Sequence, residues 1–176
     1  MNNISFSSRI FRLFFRNIRR IFNKNFCRNY LKWKQLKNKF KGRRVFLIGN
    51  GPSLNETPLY LLKNEYTLTF NRFSLLLERI NWDPSFFMTV DSTVAENIKD
   101  ELNVMSCISD YAFFPDIHKS TNLNFKDFVK ARNNVLFMHQ EPFRFSKYLP
   151  YVGTGGSVIY EGFQVLNYLG FDEYIF

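Results

Sequence analysis

Apolar residues recur in this chain with two different spacings, and the change from one to the other separates an N-terminal arm from a body. Between Ile10 and Phe22 the large apolar residues Ile10, Phe11, Phe14, Phe15, Ile18, Ile21 and Phe22 come at helical spacing. At about 100° per residue they fall within one arc of roughly 140°, opposite Arg9, Arg12, Arg16, Arg19, Arg20 and Lys24, and only Leu13 is out of place. This pattern predicts a basic amphipathic helix. The Lys-rich, weakly apolar stretch from Lys32 to Arg44 predicts a connecting helix or linker that ends at Lys41-Gly42.

From Val45 onward, short apolar runs alternate with helical stretches. Val45 to Ile48, Tyr66 to Phe70, Phe86 to Val90 and Val135 to Met138 read as strands, and the first is continuously apolar, as a strand covered on both faces should be. Pro58 to Leu62, Ser74 to Ile80, a stretch after Ser92 carrying Val94, Ile98 and Leu102, and Val158 to Leu169 read as helices, the last closed by Gly170. Asp110 to Asn124 reads as loop. Glu173 to Phe176 begins another strand, and a strand that stops there predicts a domain cut short. Alternation of strand and helix is the mark of a parallel α/β sheet. The expectation is a Rossmann-like parallel sheet with flanking helices over residues 41–176, truncated at its C-terminus and preceded over residues 1–40 by a basic amphipathic arm and linker.

Charge sharpens the division. Through Arg44 the chain has 14 Lys or Arg and no acidic residue, so of its 24 basic and 15 acidic residues the remainder keeps 10 basic against 15 acidic. An arm so basic beside an acidic body calls for an anionic partner. Arginine interrupts the arm too often for a signal peptide or a membrane span. Its aromatics lie on a face apart from its cations, which fits a helix in lipid headgroups better than one tracking phosphates. The expected partner of residues 9–24 is therefore an anionic membrane surface, with the protein peripheral on the cytoplasmic face of the inner membrane and no nucleic acid bound. The bland alternative is an arm that packs its apolar stripe on the body. Cys27 and Cys107 are too far apart in sequence for a redox or metal motif, and Cys107 reads as a small buried hydrophobe.

Ligands of open α/β sheets gather at the carboxyl ends of the strands, where loop and helix-terminal N–H groups point outward. Gly49-Asn50-Gly51-Pro52-Ser53 follows the first strand, Asn71 the second and Asp91 the third, while Thr154-Gly155-Gly156-Ser157 precedes the last helix. The first loop is neither a dinucleotide fingerprint, since Leu54 stands where a third glycine would be needed, nor a P-loop, since no Gly-Lys-Ser/Thr follows. A tight turn would explain it as well, and an N-cap at Ser157 would explain much of the second loop. Capping is likewise the simplest role for Asp91; accepting from a ribose hydroxyl or holding a metal through water are the others.

Taken together, V-F-L-I-G-N-G-P-S-L, Asn71 after the second strand, G-T-G-G-S before an apolar helix and the E-Y-I-F strand resemble the 6-hydroxymethylpterin diphosphokinase MptE-like domain. They are equally similar to the bacterial sialyltransferases that use CMP-sialic acid. The second resemblance implies that Asn50, Gly51 and Ser53 contact nucleotide phosphate and ribose, Asn71 the base or ribose side, and Thr154, Gly155, Gly156 and Ser157 the other side of a cytidine nucleotide. Asp91 stands where those transferases tend to have Asn, which fits the diphosphokinase branch better. Their catalytic histidine follows a strand at which this sequence ends, so His118 and His139 do not align with it and no general base is assigned. The resemblance implies a nucleotide-sugar-dependent glycosyltransferase of surface glycan synthesis, with a CMP-sugar as donor. The alternatives are diphosphate transfer from ATP with Mg²⁺ to a pterin or related alcohol, and a nucleotide-binding membrane protein without turnover.

Overall fold

The computed structural model describes residues 24–142 and 145–176. The predicted amphipathic helix of the arm lies outside them. Helix α1 (Lys24–Leu36) leads into strand β1 (Arg44–Ile48), followed by β2 (Tyr66–Phe70) and β3 (Phe86–Met88). Helices α2 (Ser92–Asn97) and α3 (Lys99–Ile108) precede β4 (Tyr111–Pro115), β5 (Val135–Glu141) and β6 (Tyr151–Gly153); α4 (Val158–Leu169) and β7 (Glu173–Ile175) complete the order. The strands form one seven-stranded sheet in the order β6-β5-β4-β3-β2-β1-β7, and every pairing is parallel. Six strands thus succeed one another across the sheet, and α4 carries the chain back past them to lay β7 beside β1.

Side chains on successive strand residues point to opposite faces, and the sheet is apolar on both. Val45, Leu47, Leu68, Phe70, Phe86, Met88 and Phe113 pack on one face beneath α1 and α4. Ile48, Phe87, Ala112, Phe114 and Val135 pack on the other beneath α2, α3 and the 3₁₀ turns. This accounts for the continuous apolar run at β1. Phenylalanine fills much of both layers: Phe40 stacks on Phe171 at 5.1 Å between ring centroids, and Trp33 stacks on Phe113 at 5.3 Å.

Several expected elements differ in kind. The predicted helices at Pro58 to Leu62 and Ser74 to Ile80 are 3₁₀ turns, Leu59–Leu62 and Asn71–Arg79. Such short segments between paired parallel strands tighten because they have few i→i+4 partners to gain. The helix after Ser92 breaks in two at Ile98, whose backbone leaves the helical region. Asp110 to Asn124, read as loop, contains β4, a buried central strand. β6 was not expected either, and Cys107 is exposed rather than buried, on the outer side of α3. The helix Val158–Leu169 matches its predicted bounds, and Gly170 closes it with φ 93°. A side chain at Gly170 would also place Cβ 2.8 Å from the Asn38 backbone, so glycine is needed there twice over.

α1 belongs to the same core as the residues after Lys41. Its own Trp33 and Leu36, with Phe40 just beyond its end, are buried in that core. β6 pairs with β5 only from His139 onward, which leaves the Phe137 peptide on an open edge. Asn29 closes that edge, donating from Nδ2 to the Phe137 carbonyl at 2.8 Å and accepting from its N–H at 2.9 Å. The Trp33 indole N–H donates to the same carbonyl at 3.0 Å. Among the described residues no helix is long and apolar enough to cross a membrane.

Candidate functional site

All the loops singled out by sequence emerge at one edge, the carboxyl ends of the strands. The order of strands reverses between β1 and β7, and in open α/β sheets the crevice outside such a reversal is where ligands collect. The Gly49–Ser53 loop leaves β1 at that place. Asn50 Nδ2 donates to the Phe70 carbonyl at 2.9 Å and ties this loop to the end of β2. Pro52–Asn55 then forms a 3₁₀ turn begun by Gly51, which leaves Ser53 exposed.

Asn71 follows β2 in a left-handed conformation, φ 50°, and its Oδ1 is buried without a hydrogen-bond partner among the described residues. A non-glycine residue held there stores backbone strain, and a buried orphan acceptor adds to its cost. Thr89 Oγ1 at the end of β3 is also buried without such a partner. Asp91 caps α2: Oδ1 accepts from the N–H groups of Thr93 and Val94 at 2.8 and 3.0 Å. The simplest of its three readings is thus the one seen. His118, in the loop after β4, is set by its turn. The Thr121 N–H donates to Nδ1 at 3.3 Å, which leaves the proton of a neutral ring on Nε2. Burial holds its pKa below the usual value, against the nearby Asp91 carboxylate, which raises it.

The ends of β4, β5 and β6 carry a buried polar cluster that the motifs did not reveal. Asp116 and His139 are side by side in the β4–β5 register, Oδ2 to Nδ1 2.9 Å, and both are buried. On the opposite face Gln140 Nε2 donates to both carboxylate oxygens of Glu161, at 3.0 and 3.1 Å, while its Oε1 accepts from the Lys119 N–H. Burial pushes the Glu161 carboxyl up to about 7, against the bonds from Gln140 and the charge of Lys119. Gln164, one turn further along α4, clamps the start of the glycine loop. Its Oε1 accepts from the N–H groups of Gly153 and Ser146, both at 2.8 Å, and its Nε2 donates to the Gly153 carbonyl at 2.7 Å. Paired polar groups interrupting apolar strands are the signal that sequence reading passed over, in His139-Gln140-Glu141 and in Glu161 and Gln164 of α4.

β1 and β6 are separated by four strands, so neighbouring strands do not bring the two loops together. α4 does. Its first turn meets Gln140 at the end of β5 through Glu161, and the next residue, Gly162, lies over β2, where a Cβ would come within 3.0 Å of Leu68 and 3.2 Å of Phe70. Within the loop, Thr154 N–H and hydroxyl both reach the Glu141 carbonyl, at 3.2 and 3.4 Å. Ser157 caps α4 by accepting from the Ile159 N–H at 3.3 Å. Glycine at 155 is required by Tyr160, whose ring would lie 2.5 Å from a Cβ, so close approach of a ligand is not needed to explain it. Gly156 is the position with open space around it, and its φ is 78°.

A cleft of about 360 Å³ opens at the opposite, amino edge, among Arg43, Arg44, Glu65, Asp172 and Glu173. Arg44 is paired there with Glu65, and Asp172 accepts from the Gly42 N–H at 2.8 Å, so several of its charges are met within the chain. Among the described residues no group of three or more His, Cys, Asp or Glu could hold a metal ion. Comparison with protein-family models, with curated proteins and with solved structures finds no match.

Proposed function

We propose that this chain is a Rossmann-like, nucleotide-sugar-dependent transferase that binds its nucleotide along the carboxyl edge, between the Gly49–Ser53 and Thr154–Ser157 loops. The observation that carries the reading is that both loops leave the carboxyl edge of one sheet, with α4, the helix that follows the second loop, packed over β2 at Gly162 and the end of β2 tied to the first loop by Asn50. Backbone N–H groups of the glycine loops, with the exposed Ser53 hydroxyl, would meet a phosphate at this edge, the Thr154 hydroxyl joining them on giving up its long bond to the Glu141 carbonyl. In glycosyl transfer an acceptor hydroxyl oxygen bonds to the anomeric carbon as the bond from that carbon to the nucleotide phosphate oxygen breaks. Donors aimed at the departing phosphate lower that barrier. The basic arm would hold the protein at an anionic membrane surface.

Thermal melting of the chain with nucleotides tests this reading. A ligand that binds only the folded state at a hundredfold excess over Kd adds about 2.7 kcal/mol of stability. CMP or CDP should raise Tm in the presence of a chelator, and Asn50→Ala or Gly156→Val should remove the rise. A rise with ATP and Mg²⁺ but none with cytidine nucleotides would replace glycosyl transfer by diphosphate transfer. No rise with any nucleotide would refute the site.

A further inference from the structure

We infer that the outer face of α1 is a membrane-contact surface of the folded body, seated on anionic lipid headgroups, in addition to the arm that precedes it. The inner face of the helix is committed: Asn29 and Trp33 bond the Phe137 peptide, and the Lys32 ammonium turns inward to the carbonyls of Arg132 and Val135 at 2.9 and 3.2 Å. These bonds fix which side faces out. Cys27, Tyr30, Leu31 and Lys34 follow the i, i+3, i+4, i+7 spacing of a single stripe, and all are exposed. Tyr30 and Leu31 stand 49% and 57% exposed, large apolar side chains in the open. Arg28, Lys34 and Lys37 surround them, also exposed.

No Asp or Glu occurs before Glu56 in the sequence, so no acidic neighbour in the chain's first 55 residues offsets these cations. The residues after Arg44 carry the excess of acid, so the molecule is polarised, and an anionic surface would draw the α1 side toward itself and repel the rest. Apolar and aromatic side chains set among cations suit the headgroup boundary, where both find partners. A nucleic acid would satisfy the cations but leave Leu31 without a partner. The inference does not depend on the nucleotide reading.

The full chain should be measured by co-sedimentation with phosphatidylcholine vesicles, with and without phosphatidylglycerol, in the absence of nucleotide. Lys34→Glu with Lys37→Glu should weaken binding to the anionic vesicles at least tenfold, consistent with a loss of roughly fivefold for each cation removed from such a surface. Tyr30→Asp with Leu31→Asp should weaken it severalfold, with unchanged circular dichroism. A chain carrying Leu31→Cys, Cys27→Ser and Cys107→Ser, labelled with an environment-sensitive fluorophore, should shift to the blue only on anionic vesicles. Wild-type affinity in both paired variants, or no fluorescence shift on bound chain, would assign all membrane contact to the arm and overturn the proposal. Tighter binding to duplex DNA than to anionic vesicles at equal salt would overturn it in favour of nucleic acid.

Discussion

The carboxyl edge of the sheet has two halves that solve the same problem differently. From β1 to β3 its polar groups come from loops: Asn50 and Asp91 make short-range bonds to backbone a strand away or one turn ahead, and Ser53 stands exposed. From β4 to β6 they come from within the elements or, for Asp116, directly after one, and Asp116, His139, Gln140, Glu161 and Gln164 are each at most 3% exposed. At Ser53 and Asp91 the loop half can lose a bond to water, although Asn71 Oδ1 and Thr89 Oγ1 in the same half are buried. The buried half cannot, because a group left without its partner there bears the full cost of desolvation. The difference teaches that the more adaptable half is the one that can change to meet a ligand, while the other holds the glycine loop in place.

Gln164→Leu should show the largest effect. It removes the acceptor of the Gly153 and Ser146 N–H groups and the donor to the Gly153 and Tyr160 carbonyls. With one to three kcal/mol for each buried group left unsatisfied, the loss should be about 3 kcal/mol or more in urea unfolding. A loss under 1 kcal/mol would show that the buried half is as forgiving as the loops.

Glu161 comes next, through pH. Its folded pKa is raised from 4.5 to about 7, so the folded state binds this proton more tightly than the unfolded state. Its contribution is fully present below pH ~4.5 and is lost as pH rises through about 7, by roughly 3 kcal/mol. Glu161→Gln keeps an acceptor for Gln140 and abolishes the titration. Its stability relative to wild type should therefore climb between pH 5 and pH 8, in paired denaturation curves. A constant difference across that range would mean that Glu161 keeps an ordinary pKa.

The two halves were not equally legible in the sequence. Gly49, Gly51 and Pro52 mark the end of the β1 run because glycine and proline seldom continue a strand, and the helix ended by Gly170 follows from its apolar period and its cap. β4 was hidden because Tyr111-Ala112-Phe113-Phe114-Pro115 is short and lies among loop residues, and only its pairing with β3 and β5 makes it a strand. The buried cluster was hidden for a different reason. Its members are far apart in sequence, and a polar residue in an apolar run reads as the end of a strand until the register places Asp116 beside His139. The 3₁₀ turns fail for want of length, since periodicity over five to seven residues does not distinguish them from α-helix.

Gly155→Ala should cost about 1–3 kcal/mol, because its Cβ would stand 2.5 Å from the Tyr160 ring. Adding Tyr160→Ala should return part of that loss, and the coupling in a double-mutant cycle measures how much of the glycine requirement lies within the chain. Additive losses would reopen the case for a ligand at that position.

The smallest effect is expected in the loop half, where it bears most directly on the comparison. Asp91→Ala removes an N-cap whose Oδ1 accepts from two N–H groups of a six-residue helix. The two freed groups face water, so the loss should be about 1 kcal/mol, the usual cost of a cap, and well below that of Gln164→Leu. Asp91→Asn keeps a capping oxygen and should cost only a few tenths of a kcal/mol. It also removes the charge beside His118 that holds that histidine's pKa up. The histidine should then titrate lower in an NMR pH series, while stability barely moves. If Asp91→Asn instead destabilises the fold as much as Gln164→Leu does, the carboxylate has a structural role beyond the cap, and the division of this edge into an adaptable half and a fixed half fails.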